Sequence, residues 1–122
     1  NDTQYLGLSG DLFEPPTPLN EHLPRLYGAL SETKQIYSHY GVFSDRLSNL
    51  SDVKSVSRGH DLGWRIALEN GIKVRLGSVD ILGRLSRASD VLNRLANEKL
   101  ERVQEIDARY DNGVALAWRI TE

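Results

Sequence analysis

The spacing of hydrophobic and polar residues changes several times along this chain, and each change predicts a new element. Near the start, residues 4–14 predict two short strands joined by a turn at Gly10-Asp11. Three prolines at positions 15, 16 and 18 end the second strand, because proline cannot donate to a β-ladder. The stretch from Leu19 to Gly28 has no clear period, so we expect an irregular connector there.

Two segments have the spacing of amphipathic helices. The first is predicted from an N-cap at Ser31 to about Asn49, with apolar residues at steps of four, three and four: Ile36, Tyr40, Phe43 and Leu47. The second is predicted from Ser78 or Asp80 to about Glu98. Its buried stripe is expected to contain Leu82, Leu85, Leu92 and Leu95, joined by Ile81, Ala88 and Ala96.

Three arginines, Arg84, Arg87 and Arg94, flank the stripe of the second helix. Such a run favours a solvated helix side, and contact with an acidic partner is the alternative.

Alternating residues predict the remaining strands. Residues 53–58 are rich in Val and Ser, and residues 64–77 form a hairpin around Asn70-Gly71 with Trp64, Ile66, Leu68, Ile72, Val74 and Leu76 on its apolar face. A second hairpin turns at residues 111–113. On its last strand Val114, Leu116, Trp118 and Ile120 alternate with Ala115, Ala117 and Arg119.

The predicted order of elements is therefore β-β-α-β-β-β-α-β-β. This order predicts an α+β fold with one mostly antiparallel sheet, two helices packed on its apolar face, and a C-terminal hairpin that ends in an edge strand.

Composition narrows the functional classes. The 122 residues suit one domain, and a net charge of −2 argues against a nucleic-acid binder, which normally has a strongly basic face. No apolar run is long enough to span a bilayer. Because the chain has no cysteine, disulfides, thiol catalysis and cysteine-bound metals are excluded.

Residues typical of catalysis are scattered. His22, His39 and His60 belong to three different predicted elements, without a partner at metal-ligand spacing. Asp107 and Asp111 flank Arg109, where balancing neighbouring arginines is a simpler role than catalysis. We therefore expect no catalytic residue, metal or cofactor, and no enzymatic activity.

The last strand is unusual because alanines replace charged residues on the face expected to meet water. Ala115 and Ala117 keep the strand surface low, so that another chain could approach it. If the strand lies at the sheet edge, its free backbone groups can pair with an added strand, with Tyr110 and Trp118 as aromatic anchors. Alternatively, the strand is internal and Trp118 belongs to the core. The residues alone leave both interpretations open.

The stretch VQEIDARYDNGVALAW, residues 103–118, resembles the C-terminal signature of the bacterial FtsQ/DivIB cell-division family. Asp107, Arg109, Tyr110, Gly113 and Trp118 match the family pattern, and Ala108 replaces its usual leucine. The motifs GDLF, LPRLYG, WRIALENGIKVRLG and RLSR extend the resemblance over nearly the whole chain. Two departures are residues 29–31, where the family often has Pro-Glu-Gly, and Ala88, where an aromatic residue is common.

The resemblance implies a longer protein with a cytoplasmic tail, one inner-membrane helix and a POTRA domain before this region. Residues 1–122 would then be the periplasmic β-domain at the division septum. It further implies a non-enzymatic scaffold of the divisome, which binds FtsB, and FtsL with it, and contacts other divisome proteins to control septal peptidoglycan synthesis.

In the family, FtsB adds a strand to the final edge strand. The matching positions here are Tyr110, Asn112, Gly113, Val114, Ala115, Leu116 and Trp118. By this resemblance Val114 to Leu116 present backbone groups, and Gly113 allows close approach and a positive φ in the turn. The alternative is a promiscuous periplasmic peptide-binding or chaperone-like domain that uses the same edge.

Overall fold

The computed structural model describes residues 4–7, 10–13 and 23–120. The strands are β1 (Tyr5–Leu6), β2 (Leu12–Phe13), β3 (Arg25–Tyr27), β4 (Val53–Gly59), β5 (Gly63–Leu68), β6 (Lys73–Gly77), β7 (Val103–Asp107) and β8 (Ala115–Trp118). The helices are α1 (Thr33–Leu47), α2 (Ile81–Arg94) and the short α3 (Asn97–Leu100).

The main sheet has six strands in the order β3-β4-β5-β6-β7-β8, and β1 and β2 form a separate antiparallel hairpin. Three pairs of the main sheet are antiparallel, whereas β3-β4 and β6-β7 are parallel. The α+β class is confirmed, with a mixed sheet that is mostly antiparallel and with β8 at one edge.

Each parallel pair is joined by a helix, since parallel neighbours need a long crossover connection. Helix α1 connects β3 to β4, and α2 with α3 connects β6 to β7. Both crossovers step in the same direction along the sheet and start from strands of the same orientation. Right-handed connections therefore place both helices on the same face of the sheet.

The core lies between that face and the helices. One row of aligned apolar residues crosses all six strands: Leu26, Val56, Ile66, Val74, Ile106 and Leu116. Helix α1 contributes the buried residues Ile36, Phe43 and Leu47, and α2 contributes Leu85, Ala88 and Leu92. Tyr40 packs against this core and is half-buried, so the predicted stripe of the first helix is confirmed.

Several element boundaries differ from the sequence prediction. Strand β3 lies in the segment expected to be an irregular connector. Ser31 does not cap α1, because it lies within a 3₁₀ turn, Leu30–Glu32, that precedes the helix. Asp80 occupies the N-cap position of α2 without a side-chain capping bond.

The second helix also ends earlier than expected. Leu95 has extended backbone angles and interrupts the helix before Ala96, which is exposed. Leu82 is 49% exposed rather than buried, because the face of α2 that meets the sheet is centred on Leu85, Ala88 and Leu92.

Two glycines allow β5 and β6 to approach closely where the strands meet. Gly63 at the start of β5 and Gly77 at the end of β6 have φ values of 72° and 73°. A Cβ atom on Gly63 would lie 2.7 Å from the Cα of Gly77, which is closer than real Cβ atoms come to backbone. A side chain at this position would therefore strain the backbone and push the two strands apart.

We expect Gly63→Ala to lower the free energy of unfolding by more than about 1 kcal/mol, because both its φ value and its contact with Gly77 oppose a Cβ. The matched control is Gly41→Ala in α1, where no atom lies within 4 Å of an added Cβ. That change should raise stability by about 0.5–1 kcal/mol through helix propensity. Urea unfolding of both variants measures the difference, and equal effects would contradict the close approach.

Candidate functional site

Among the described residues, strand β8 pairs only with β7, so one of its sides is an edge of the main sheet. Two bonds establish which backbone groups point outward. The N–H of Ala108 donates to the carbonyl of Arg75 at 2.9 Å, so the backbone groups of Ala108 point toward β6. Successive residues of a strand point their backbone groups to opposite sides, so those of Glu105 and Asp107 point toward β8.

The second bond shows, from the side of β8, which of its backbone groups point toward β7. The N–H of Arg119 donates to the carbonyl of Arg102 at 2.6 Å. Ala117 and Ala115 therefore face β7 as well, and the backbone groups of Leu116 and Trp118 face away from the sheet.

The free edge is shorter than the sequence predicted. Strand pairing covers Ala115–Trp118 rather than the seven residues from Val114 to Ile120, and it spans about 14 Å. Ile120, expected on the core face, is 93% exposed beyond the strand end. Two outward residues, each with one N–H and one C=O, offer four hydrogen-bonding groups to an added strand.

The side chains of β8 divide as the alternation predicted. Ala115 and Ala117 are exposed on the face opposite the helices. Val114 and Leu116 are half-buried and pack against the core. Trp118 shares their face but is 44% exposed, because it lies at the end of the strand where core packing stops. The interpretation of Trp118 as a core residue is therefore wrong.

The loop before β8 holds the other expected site residues. Tyr110 is 54% exposed and Asn112 is also exposed. The Arg87 Nη1 atom of α2 donates to the carbonyls of Tyr110 and, at 3.2 Å, Gly113. This contact holds the loop against the helix. It also corrects the expectation that Arg87 lies on a purely solvated side of the helix.

Gly113 differs from its predicted role. Its φ is not positive, and no atom lies within 4 Å of the position a Cβ would take. The turn therefore does not require glycine there. The space beside Gly113 is open, which still permits close approach of another chain.

The two exposed aromatic residues do not form one cluster. Ala115, next to the loop that carries Tyr110, pairs with Asp107, whereas Trp118 pairs with Val103 at the other end of β7. About 10 Å of strand separates these ends. Tyr110 and Trp118 thus mark the two limits of the free edge.

A bidentate ion pair fixes the end of β7 beside the loop. The Nε and Nη2 atoms of Arg109 donate to the two carboxylate oxygens of Asp107 at 2.8 and 2.7 Å, and the backbone N–H of Arg109 donates to Oδ1 at 3.1 Å. Asp107 is 8% exposed. These hydrogen bonds outweigh the effect of burial and hold the pKa of the Asp107 carboxyl below its ordinary value. The charge-balancing role predicted for this residue agrees with this geometry.

Arg119 fixes the opposite end of β8. Its Nε atom donates to the carbonyl of Val103 at 3.2 Å, and its Nη2 atom donates to the carbonyl of Asn70 at 3.0 Å. Arg84 similarly donates to the carbonyl of Leu76 at 2.9 Å. The sequence pattern of alternating residues gave no signal for these backbone contacts.

In the part of the chain that the structure describes, the histidines and carboxylates considered as candidate catalytic or metal-binding residues do not come together in one site. No group of three His, Cys, Asp or Glu side chains is close enough there to hold a metal ion. His39 stacks on Trp64, with ring centroids 4.3 Å apart, and His60 is exposed in a turn. His22 lies outside the described residues. Helices in the described ranges lack the length and apolar character needed to cross a bilayer.

Comparisons with known proteins agree on one family. The model of the FtsQ/DivIB cell-division protein C-terminal domain matches residues 1–109. The cell division protein FtsQ of Shewanella oneidensis is 32% identical over 120 residues, which cover 97% of this chain and 45% of that protein. FtsQ of Escherichia coli K12 is 29% identical over 97% of this chain and 45% of its own length.

A third relative, FtsQ of Vibrio cholerae, is 31% identical over 82% of this chain and 38% of its own length. The chain thus spans less than half the length of these relatives. It belongs to the FtsQ/DivIB C-terminal family of cell-division proteins. The matched family region ends at Arg109, just before the loop and strand of the candidate site.

We expect Asp107→Asn to destabilise the protein at neutral pH by about 1–3 kcal/mol, because it weakens a buried charged hydrogen-bond network. The folded-state pKa of Asp107 is lowered, so its contribution is complete above the ordinary value near 3.8 and is lost as pH falls through the folded-state pKa. The difference in free energy of unfolding between the parent and the variant should therefore become smaller at low pH. Urea unfolding from pH 7 to about pH 2 measures it, and a gap independent of pH would contradict this assignment.

Proposed function

We propose that this chain is the periplasmic β-domain of a cell-division scaffold and that it binds FtsB, with FtsL, by addition of a strand to β8. The observation that carries the proposal is the sheet edge itself, where the outward backbone groups of Leu116 and Trp118 have no partner in the part of the chain that the structure describes. Strand addition uses such groups as its main source of affinity.

Side chains around the edge support docking of a second chain. The side chains of Ala115 and Ala117 project little from the exposed face of the sheet, so another chain can approach the edge. Tyr110 and Trp118 expose aromatic surface at the two ends of that edge. Exposed aromatic residues are typical anchors of interfaces. The contacts of Arg87 and Arg119 hold the loop and strand in place before a partner arrives, which lowers the ordering cost of binding.

Family membership supports the setting of this interaction, which is part of the proposal. The whole protein would be anchored in the inner membrane by one helix outside residues 1–122 and would act at the septum with other divisome proteins. Its role would be to recruit partners that control septal peptidoglycan synthesis, without catalysis of its own.

We expect Trp118→Ala to weaken binding of a periplasmic FtsB peptide by about 2–4 kcal/mol, because it removes the aromatic anchor at the end of β8. The matched control is Tyr27→Ala, which removes an aromatic residue of similar exposure from β3 at the opposite edge of the sheet. Isothermal titration of both folded variants measures the change. Equal affinities for the two variants would refute the role of Trp118.

A second experiment isolates the backbone. Leu116→Pro removes an outward N–H, and proline is tolerated where the N–H of an edge strand faces solvent. Leu116→Ala shortens the same side chain but keeps the N–H. We expect the proline variant to bind the FtsB peptide at least tenfold more weakly than the alanine variant, because it loses a main-chain bond worth about 1 kcal/mol and blocks close approach.

Circular dichroism must show that both Leu116 variants are folded. Equal binding by the two would exclude pairing along this side of β8. A panel of unrelated extended peptides separates the alternative function, since a promiscuous peptide-binding domain would bind them as tightly as it binds the FtsB peptide.

A further inference from the structure

The face of the sheet opposite the helices carries a groove of about 380 Å³. Two aligned rows of residues form it. Ser57, Arg65 and Arg75 are neighbours in one row, and Ser55, Ala67, Lys73 and Glu105 are neighbours in the next. Serine and alanine keep the floor low, and the long side chains of the cations form its sides.

Charge in this groove is unbalanced. Arg65 and Arg75 lie directly opposite each other on β5 and β6, and like charges in such a position repel. Glu105 pairs with Arg75 at 3.5 Å, whereas Arg65 and Lys73 have no ion pair within the described ranges. The nearby carboxylate of Asp107 is already bound by Arg109. The groove therefore keeps an excess of positive charge on a chain whose net charge is −2.

The side chain of Arg65 is partly buried. Its Nε atom is buried and has no hydrogen-bond partner among the described residues. A buried donor without a partner costs free energy, and a folded protein normally satisfies it.

We propose that this groove binds an acidic, extended segment of a protein partner, with carboxylates over Arg65, Arg75 and Lys73. The two rows are two residues apart along the strands, or about 7 Å, and alternate side chains of an extended chain repeat at the same distance. Carboxylates on alternate residues would thus meet the arginine pair and then Lys73. This surface is separate from the backbone edge of β8 and does not depend on the proposed function.

The groove favours a polypeptide over a small anion because it is open to solvent. A single phosphate or carboxylate there would stay hydrated and bind weakly, whereas several carboxylates on one chain gain from each contact in turn. The hydroxyl groups of Ser55 and Ser57 line the same groove and can donate to the segment.

The test is a fluorescence-anisotropy titration of this chain with a labelled peptide of about eight glutamates, with a glutamine peptide of equal length as the uncharged control. We expect the glutamate peptide to bind and its affinity to fall as salt rises from about 0.02 to 0.15 M. The double variant Arg65→Gln, Arg75→Gln should bind at least tenfold more weakly than the parent.

The matched control is Arg46→Gln, Arg94→Gln, which changes the net charge equally but alters exposed arginines on the two helices. It should bind like the parent. The groove variant should keep a melting temperature near that of the parent, because it removes one repulsive pair and one partly exposed ion pair. If it does not fold, Lys73→Gln compared with the helix variant Lys34→Gln gives the same test at exposed positions.

Amide shifts in NMR spectra distinguish this surface from the edge. Perturbation of residues in β5 and β6, with Leu116 and Trp118 unaffected, is the expected result. Equal weakening in both double variants, equal binding of the glutamine peptide, or shifts confined to β8 would overturn the proposal. So would binding of vesicles that contain phosphatidylglycerol, lost in the groove variant, without binding of the peptide.

Discussion

The handedness of two crossover connections determines most of this structure. Because β3-β4 and β6-β7 are parallel, each pair needs a helix between its strands, and both helices fall on one face of the sheet. The core is therefore one-sided: its central row runs through Val56, Ile66, Val74 and Ile106. The other face stays open, and β8 joins by a simple antiparallel hairpin at the margin. Both candidate surfaces exist because of this arrangement.

Arginines in this domain bind backbone carbonyls as often as they pair with acids. Arg84, Arg87 and Arg119 donate to carbonyls of loops and strand ends, while three ion pairs occur among the described residues. A guanidinium offers five donors in a rigid plane, so one side chain can satisfy carbonyls from two segments. Two of these arginines, Arg87 and Arg119, fix the segments at the two ends of β8, which helps to keep this short edge strand ordered.

The elements with strong local periodicity were predicted well from the sequence. Both long helices, the hairpin at Asn70-Gly71 and the final hairpin follow from spacing and turn residues, and Gly71 has the expected positive φ of 94°. Strand β3 was missed because three residues carry almost no period and its parallel pairing with β4 depends on distant residues. Parallel pairing is a tertiary property that local patterns do not encode.

Two predictions for the candidate site, the burial of Trp118 and the φ of Gly113, were wrong. Both depend on tertiary contacts rather than on residue type. The alternation placed Trp118 on the core face correctly, but exposure depends on where the helices end above the strand. Gly113 was expected to need a positive φ, yet the arginine contact from α2 shapes that loop without one. The pairing of Trp118 with Val103 also depends on the register shift at Gln104, which no local pattern indicates.

A free strand edge is also a risk, because it can pair with any other edge, including that of a second copy. This chain limits the risk by geometry rather than by charge. The paired strand is four residues long, and the extra residue at Gln104 disturbs the ladder beside Trp118. Two outward residues make too few main-chain bonds to hold an arbitrary strand tightly. In the proposed strand addition, contacts with the exposed Tyr110 and Trp118 would add to these few main-chain bonds, so the spacing of the two aromatic residues would help to select the partner.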